Sequence, residues 1–506
     1  MKKFFPLVFL SFWFGVATAQ ERGGCTSNYS MSSLNHGASG ISVLKDDSKT
    51  PLRDLQNQSW NPDRIYEQIV LLVDYPDMEF SMENPREYYD KLFNEDGFEY
   101  SNGLGKGSVA EYFRDQSNGK FNVHFNVYGP IRVNHSYQTL GDGQSAFSDA
   151  AQKAIDSLHV DFSVMNWQIT MTEYEFQIRD IVFVSAGTAS VGGEDEKCIE
   201  NRRLWPNTGR LRFIDIGNGF KIARYSASSE KYGNGMFAGI ATICHEYCHT
   251  LGLPDIYVSN GTGKTIVDEW DLMDGGNYTG WGACIPNLTA SEKYLLGWLD
   301  PVKITESMKI TDLKPLQDGG EAYIMYVSRN EFYTLENRNR QGKWDKGIAG
   351  EGLVITYTNF DNHIWTWNSV NTETQHYNLV TADGWDFVQW KEYLRQNNLP
   401  RYEDSENRMF SYYFSNAAFP LVNDTIEVRE CLTLPYPITN IQIADDGTVS
   451  FEVGERQTAI PTIANANETE NPYWYDLQGH RLQGMPTKPG VYIYGKRMVF
   501  INRRGE

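Results

Sequence analysis

An α/β unit, then an all-β unit, then a small β module is the architecture this sequence predicts. Three observations carry it. Between residues 63 and 300 short apolar runs alternate with amphipathic stretches. After Asp300 strand-like runs follow one another, separated by Gly, Asn and Asp turns. Residues 473–506 return to short aromatic strands after a polar linker. At 506 residues the chain exceeds one ordinary core, and 41% hydrophobic and 14% aromatic content can fill several.

The elements justify themselves in order. MKKFFPLVFLSFWFGVATAQ opens with Lys2 and Lys3, continues apolar from Phe4 to Val16 and reaches small residues at Ala17-Thr18-Ala19. This predicts a signal peptide over 1–19, since the apolar run is short for a membrane span. Residues 20–62 are polar and lack periodicity, as a leader or pro-segment would. In the α/β unit, 63–300, IVLLVDY (69–75) and DIVFVSAG (180–187) read as buried strands. NPREYYDKLF (84–93), GSVAEYFRDQS (107–117) and SAFSDAAQKAIDSL (145–158) have helical spacing, the last with Ala146, Phe147, Ala150, Ala154, Ile155 and Leu158 near one face. FNVHFNVYGPIRV (121–133) alternates like a strand pair with a Gly-Pro turn, and FKIARYSAS (220–228) reads as an edge strand. Thr289 and Glu292 form a capping-box pattern at the head of TASEKYLLGW. AYIMYVS, EFYTLENR, GLVITYT and TVSFEVG make 301–455 an all-β sandwich; 456–472 is a linker, and 473–506 a β tail in which VYIY and MVFI flank a GKR turn.

Composition limits the function. The formal charge of −20 repels phosphate backbones, which excludes nucleic-acid binding as a main role. Six cysteines (25, 198, 244, 248, 284 and 431) allow 15 pairings after export but do not make a disulfide scaffold.

CHEYCHTLGLPD (244–255) carries the chemistry. His245 and His249 are four apart, so on a helix both rings leave one face and can hold Zn2+. Glu246 lies about 100° round the helix, where it reaches the attacking water as general base without being a ligand. H-E-x-x-H alone arises by composition in about one chain in a hundred of this length, but more follows it here. Gly252 ends the helix, Pro254 stops it resuming, and Asp255 stands where a third ligand belongs. The whole reads H-E-x-x-H-x-x-G-x-x-D, a metzincin-like pattern, and WDLMDGGNY (270–278) places Met273 in what resembles a Met-turn. Glu269 is the rival third ligand, in poor helical context; Glu292 is a weaker one, already explained as a cap. Cys244 and Cys248 point away from the metal face, as buried packing residues or as a disulfide such as Cys248–Cys284. Cys25 reads as a disulfide or free thiol, with a zinc-capping thiolate as the sharper alternative. Tyr278 is a partly exposed packing residue or a hydrogen-bond donor to an oxyanion.

CHEYCHTLGLPDIY, WDLMDGGNY and TASEKYLLGW, in that order, resemble the immune inhibitor A family of secreted bacterial metallopeptidases. PREYYDKLF, GSVAEYFRDQSNGKF, YTLENRNRQGKWDKGIAGEGLVITY and WTWNSVN look like its flanking segments, so the likeness runs from about 68 to 455. The resemblance implies a zinc endopeptidase with a metzincin-like catalytic domain at 63–300 and a following β-sandwich. His245, His249 and Asp255 carry over as ligands and Glu246 as general base. Where relatives carry an acidic, Gly-containing segment that looks calcium-binding, this chain reads NWQITMTEYEFQIRD (166–180), so Ca2+ has no clear motif. The tail YDLQGHRL…KPGVYIYGKR…VFI is similar to the sorting tails of Bacteroidetes proteins exported by the type IX route, which implies the export machinery as a partner.

The reading is a secreted endopeptidase with one catalytic Zn2+, acting on protein or peptide substrates. The alternative is an exported surface-binding protein whose zinc site is structural or inactive. A structural site would be closed by four protein ligands; three ligands beside an intact Glu246 favour catalysis.

Overall fold

Every side chain from Ile69 to Val73 is fully buried, so the strand that holds them is covered on both faces. That strand, β2 (Ile65–Asp74), belongs to a six-stranded sheet of order β1-β5-β6-β4-β2-β3. The others are β1 (Thr26–Ser27), β3 (Asn122–Arg132), β4 (Gln177–Thr188), β5 (Asn207–Gly217) and β6 (Phe220–Lys231). The computed structural model describes residues 60–456 apart from 142, 168–176, 192–202, 260–263, 373, 423–426 and 429–433, with short strands at 26–27 and within 474–501. The signal peptide, most of the leader, nearly all of the linker and Cys25, Cys198 and Cys431 lie outside the described residues.

Alternation along β2 sorts two cores. Tyr66, Val70 and Leu72 face the larger one with α1 (Pro85–Asn94), α2 (Val109–Gln116) and α4 (Ala241–Leu251). Ile69, Leu71 and Val73 face a second, filled by Phe147, Ala150 and Ala154 of α3 (Gln144–Asp156). Helices therefore cover both faces of a mostly parallel sheet, the α/β expectation. Leu158 falls outside the predicted face and is exposed, because α3 ends at Asp156.

Two strand readings are corrected. Residues 121–133 are not a hairpin: β3 runs unbroken through Gly129-Pro130 and pairs parallel with β2. As the edge strand of the sheet it tolerates a proline, which has no N–H to donate. β6 is not an edge; it lies between β4 and β5, pairing antiparallel with β5.

Beyond residue 300, β12 (Tyr377–Leu379), β11 (Gly352–Asn359), β10 (Glu331–Arg338), β9 (Tyr323–Tyr326) and β7 (Val302–Lys303) form one sheet. β13 (Ile438–Ile443), β14 (Val449–Val453) and β8 (Met308–Leu313) form another. Leu335 and Ile355 of the first and Ile438, Val449 and Phe451 of the second share one apolar core, as in a sandwich. The stretch is not purely β: α6 (Asn362–Thr366) and α7 (Phe387–Asn397) interrupt it, α7 headed by an Asp386–Gln389 capping box. The outer face of the larger sheet gives Ile324, Phe332, Val354 and Tyr377 to the core that holds α4. The two parts of the chain thus share one interior. In the tail, Gly490–Tyr494 and Arg497–Ile501 pair antiparallel, Arg497 of the expected turn lying in the second strand and residues 495–496 outside the described residues.

Candidate metal centre

The helix α4 is buried along its whole length. Ile243, Cys244, Tyr247, Cys248 and Leu251 form a stripe into the main core, where the Tyr247 ring meets Phe113 and Phe125 edge-on. His245 and His249 leave the helix on a different side. The helix ends at Gly252, whose φ of 102° lies in the left-handed region that favours glycine. The Leu253 N–H then donates back to the Cys248 carbonyl, and the chain turns under the histidines to Asp255.

His245 Nε2 lies 3.2 Å and His249 Nε2 3.3 Å from Asp255 Oδ1, all three side chains being nearly or fully buried. Each ring's other nitrogen is committed: His245 Nδ1 donates to the Leu272 carbonyl and His249 Nδ1 to the Leu253 carbonyl, both at 2.8 Å. A carbonyl only accepts, so in each neutral ring the proton sits on Nδ1 and the lone pair on Nε2. Two lone pairs and a carboxylate oxygen therefore converge with no hydrogen-bond donor among them. Such a set is costly when buried unless a cation joins it. Two imidazoles and one carboxylate are the donor set of an open zinc site, so the residues fit the metal.

Glu246 is 1% exposed beside this cluster. The Thr208 hydroxyl on β5 stands 2.8 Å from its main-chain oxygen and 2.9 Å from its Oε2, and donates to one of them. Asp255 has a partner far along the chain: its N–H donates to Asn368 Oδ1, and Asn368 Nδ2 donates to Asp255 Oδ2, each at 2.6 Å. WDLMDGGNY underlies the site. Leu272 orients His245, the Asp271 carboxylate accepts from the Met273 N–H, and Met273, fully buried, accepts from the Ile256 N–H.

The rivals lie elsewhere. Among the described residues His245, His249 and Asp255 are the one group of three or more such side chains with ligand atoms clustered for a metal ion. Glu269 accepts from the Ser411 N–H beside Asp268 and Arg401. Burial and then Asp268 push its carboxyl well above the usual range. Glu292 completes the capping box with Thr289 at the head of α5 (Ala290–Leu295), as its sequence suggested. Cys244, Cys248 and Cys284 are free thiols, which corrects the Cys248–Cys284 disulfide. Cys248 packs into the main core, whereas Cys284 Sγ faces the Leu104 carbonyl. Tyr278 is buried rather than partly exposed, in a cluster with Tyr232 and Trp281. Sequence reasoning missed Thr208 and Asn368. Only the WTWNSVN likeness touched the second, without assigning it a part.

A buried histidine pair and an aspartate, gripped by a helix and its following loop with a glutamate alongside, define a metal-centre class of site. Residues 217–296 match the family model of the immune inhibitor A peptidase M6 catalytic domain. The chain is 24% identical over 277 residues to Immune inhibitor A of Bacillus thuringiensis subsp. alesti, covering 46% of this chain and 39% of that protein. It is 24% identical over 265 residues to the Pre-pro-metalloprotease PrtV of Vibrio cholerae serotype O1, covering 42% and 27% respectively. The chain thus spans well under half the length of these curated relatives.

Proposed function

We propose that this chain is a secreted zinc-dependent endopeptidase in which His245, His249 and Asp255 hold the metal and Glu246 is the general base. The observation that carries the reading is the convergence of three buried acceptors, two of them tautomerically fixed lone pairs, on one point. Zinc supplies Lewis acidity toward a peptide carbonyl and the water that attacks it. Glu246, next to the first ligand, takes the proton of that water and passes it to the departing amine nitrogen. The Thr208 hydroxyl restrains the glutamate for that task. Proteins or peptides are the substrate class, in keeping with the peptidase family match.

The leader fits this reading as a pro-segment. Thr26 and Ser27 pair parallel with Asn207 and Thr208, the second of which contacts Glu246. Secretion rests on the N-terminal signal pattern, and type IX export on the tail motif.

The test is digestion of casein by purified protein of measured zinc content, repeated with chelator and with Glu246→Gln. A general base contributes about 10²–10⁴-fold, so the variant should retain its zinc and lose activity by that factor. Equal cleavage by parent and variant would sink the mechanism.

A further inference from the structure

We infer that Asn368 is a positioning residue for the metal: its carboxamide clasps Asp255, so the polypeptide beyond residue 300 completes the metal site. The inference rests on the zinc reading above and deepens it.

The Asp255 N–H can only donate, so the Asn368 atom facing it is the oxygen. The other end of the amide is therefore NH2, and it donates to Asp255 Oδ2. This two-point contact fixes both the main chain and the carboxylate plane of Asp255. Oδ2 is occupied by a donor; Oδ1 alone remains turned toward the two Nε2 atoms. A carboxylate held this way binds through one oxygen, and its rotation is stopped before the metal arrives.

The clasp is itself built in. Asn368 has φ 53°, a left-handed conformation that asparagine adopts more readily than most residues. It follows α6, and its N–H donates to the Trp365 carbonyl. Trp365 and Val370, on either side, are buried in the main core. The Asn368 carbonyl accepts from Ser259 Oγ, which also hydrogen-bonds Thr372 Oγ1, and Asn371 Nδ2 donates to the Ile256 carbonyl. Residues 368–372 thus hold residues 255–259 at several points, from 113 positions along the chain in the case of Asn368.

The experiment uses the full chain with Asn368→Gly and Asn368→Asp. Glycine keeps the left-handed backbone and removes the amide. Aspartate keeps the volume and the acceptor for the Asp255 N–H but turns a second carboxylate toward Asp255 Oδ2. Zinc affinity is read by competition with a chromophoric chelator, and folding by melting of the metal-free protein. Groups that orient a metal ligand are typically worth about 10–100-fold in affinity. Zinc binding should weaken by that factor in the glycine variant, and the aspartate variant should melt lower without metal than with it by a wider margin than the parent, because its second carboxylate faces Asp255 Oδ2. Parent-like zinc affinity in the glycine variant would overturn the inference while leaving the zinc reading intact. A parent that binds no zinc would overturn that reading first, and the inference with it.

Discussion

Arg338→Met tests whether the two parts of the chain are one cooperative body. Arg338, at the end of β10, is 2% exposed. Its guanidinium makes a two-pronged pair with Asp345 and reaches the carbonyls of Trp270 and Asn287 at 3.3 Å. It therefore joins the second part of the chain to the segment that orients His245. Methionine would fill most of the volume and leave the Asp345 carboxylate buried. Removing one partner of such a pair costs about 3–5 kcal/mol. Here Asp345 also accepts from the Asn287 N–H at 2.7 Å and from Asn287 Nδ2 at 2.8 Å. Those donors continue to stabilise its charge, which places the cost near the lower bound, about 3 kcal/mol. Asp345 sits at φ 68°, which asparagine tolerates, so Asp345→Asn is the second arm; it removes the charge and turns one of the two accepting oxygens into a donor. In a double-mutant cycle by urea unfolding, the two changes together should cost less than their sum by about 2 kcal/mol. Tryptophan fluorescence and far-ultraviolet dichroism should report the same single transition. A cost under about 1 kcal/mol, or two separate transitions of which only the later part of the chain shifts, would refute the shared interior.

Three further outcomes are expected. Thr208→Val removes the hydroxyl beside Glu246; a hydrogen bond to a charged group is worth about 1.5–3 kcal/mol, so kcat should fall roughly 10–100-fold with zinc content unchanged, and an unaltered kcat would show that the threonine only packs. Chelation should lower the melting temperature as well as stop cleavage, since it returns three buried acceptors to mutual repulsion; calorimetry showing the same Tm with and without zinc would contradict the site. Glu292 is fully buried, and burial, followed by the neighbouring Asp271, raises its carboxyl well above the ordinary value. The folded protein then keeps a proton that the unfolded chain has lost, so stability falls with rising pH by up to about 1.4 kcal/mol per pH unit above the ordinary glutamate value. Glu292→Gln still accepts from the Thr289 N–H and should flatten that slope; parallel stability curves for variant and parent would show that no proton is held there.

What could be read from sequence was local. IVLLVDY announced a doubly covered strand because burial on both faces leaves no polar alternation. The Thr289–Glu292 cap and the helix over 144–156 were legible because their signals fall within one or two turns. β5 was not, and the reason is visible in its register. Between Arg210 and Ile214 the pairing shifts, so Arg212 and Phe213, adjacent in sequence, are both exposed and the period of two is lost. With β5 unseen, β6 had no partner on that side and read as an edge. The Pro130 strand misled for the opposite reason: the signal for a turn is real, but an edge strand satisfies it equally well.

The same division runs through the metal centre. The proposed ligands and general base lie within eleven residues, so one motif names them all. The groups that orient them do not. His245 is held by a carbonyl 27 residues on, Glu246 by a hydroxyl 38 residues back, and Asp255 by an amide 113 residues on. A lone pair is aimed at the metal only because the far nitrogen of its ring is tied down, and a carboxylate oxygen only because its twin is occupied. An intact H-E-x-x-H-x-x-G-x-x-D string therefore does not by itself specify a working site. A chain that kept the string but lost Thr208 or Asn368 would carry every ligand and lack the aim.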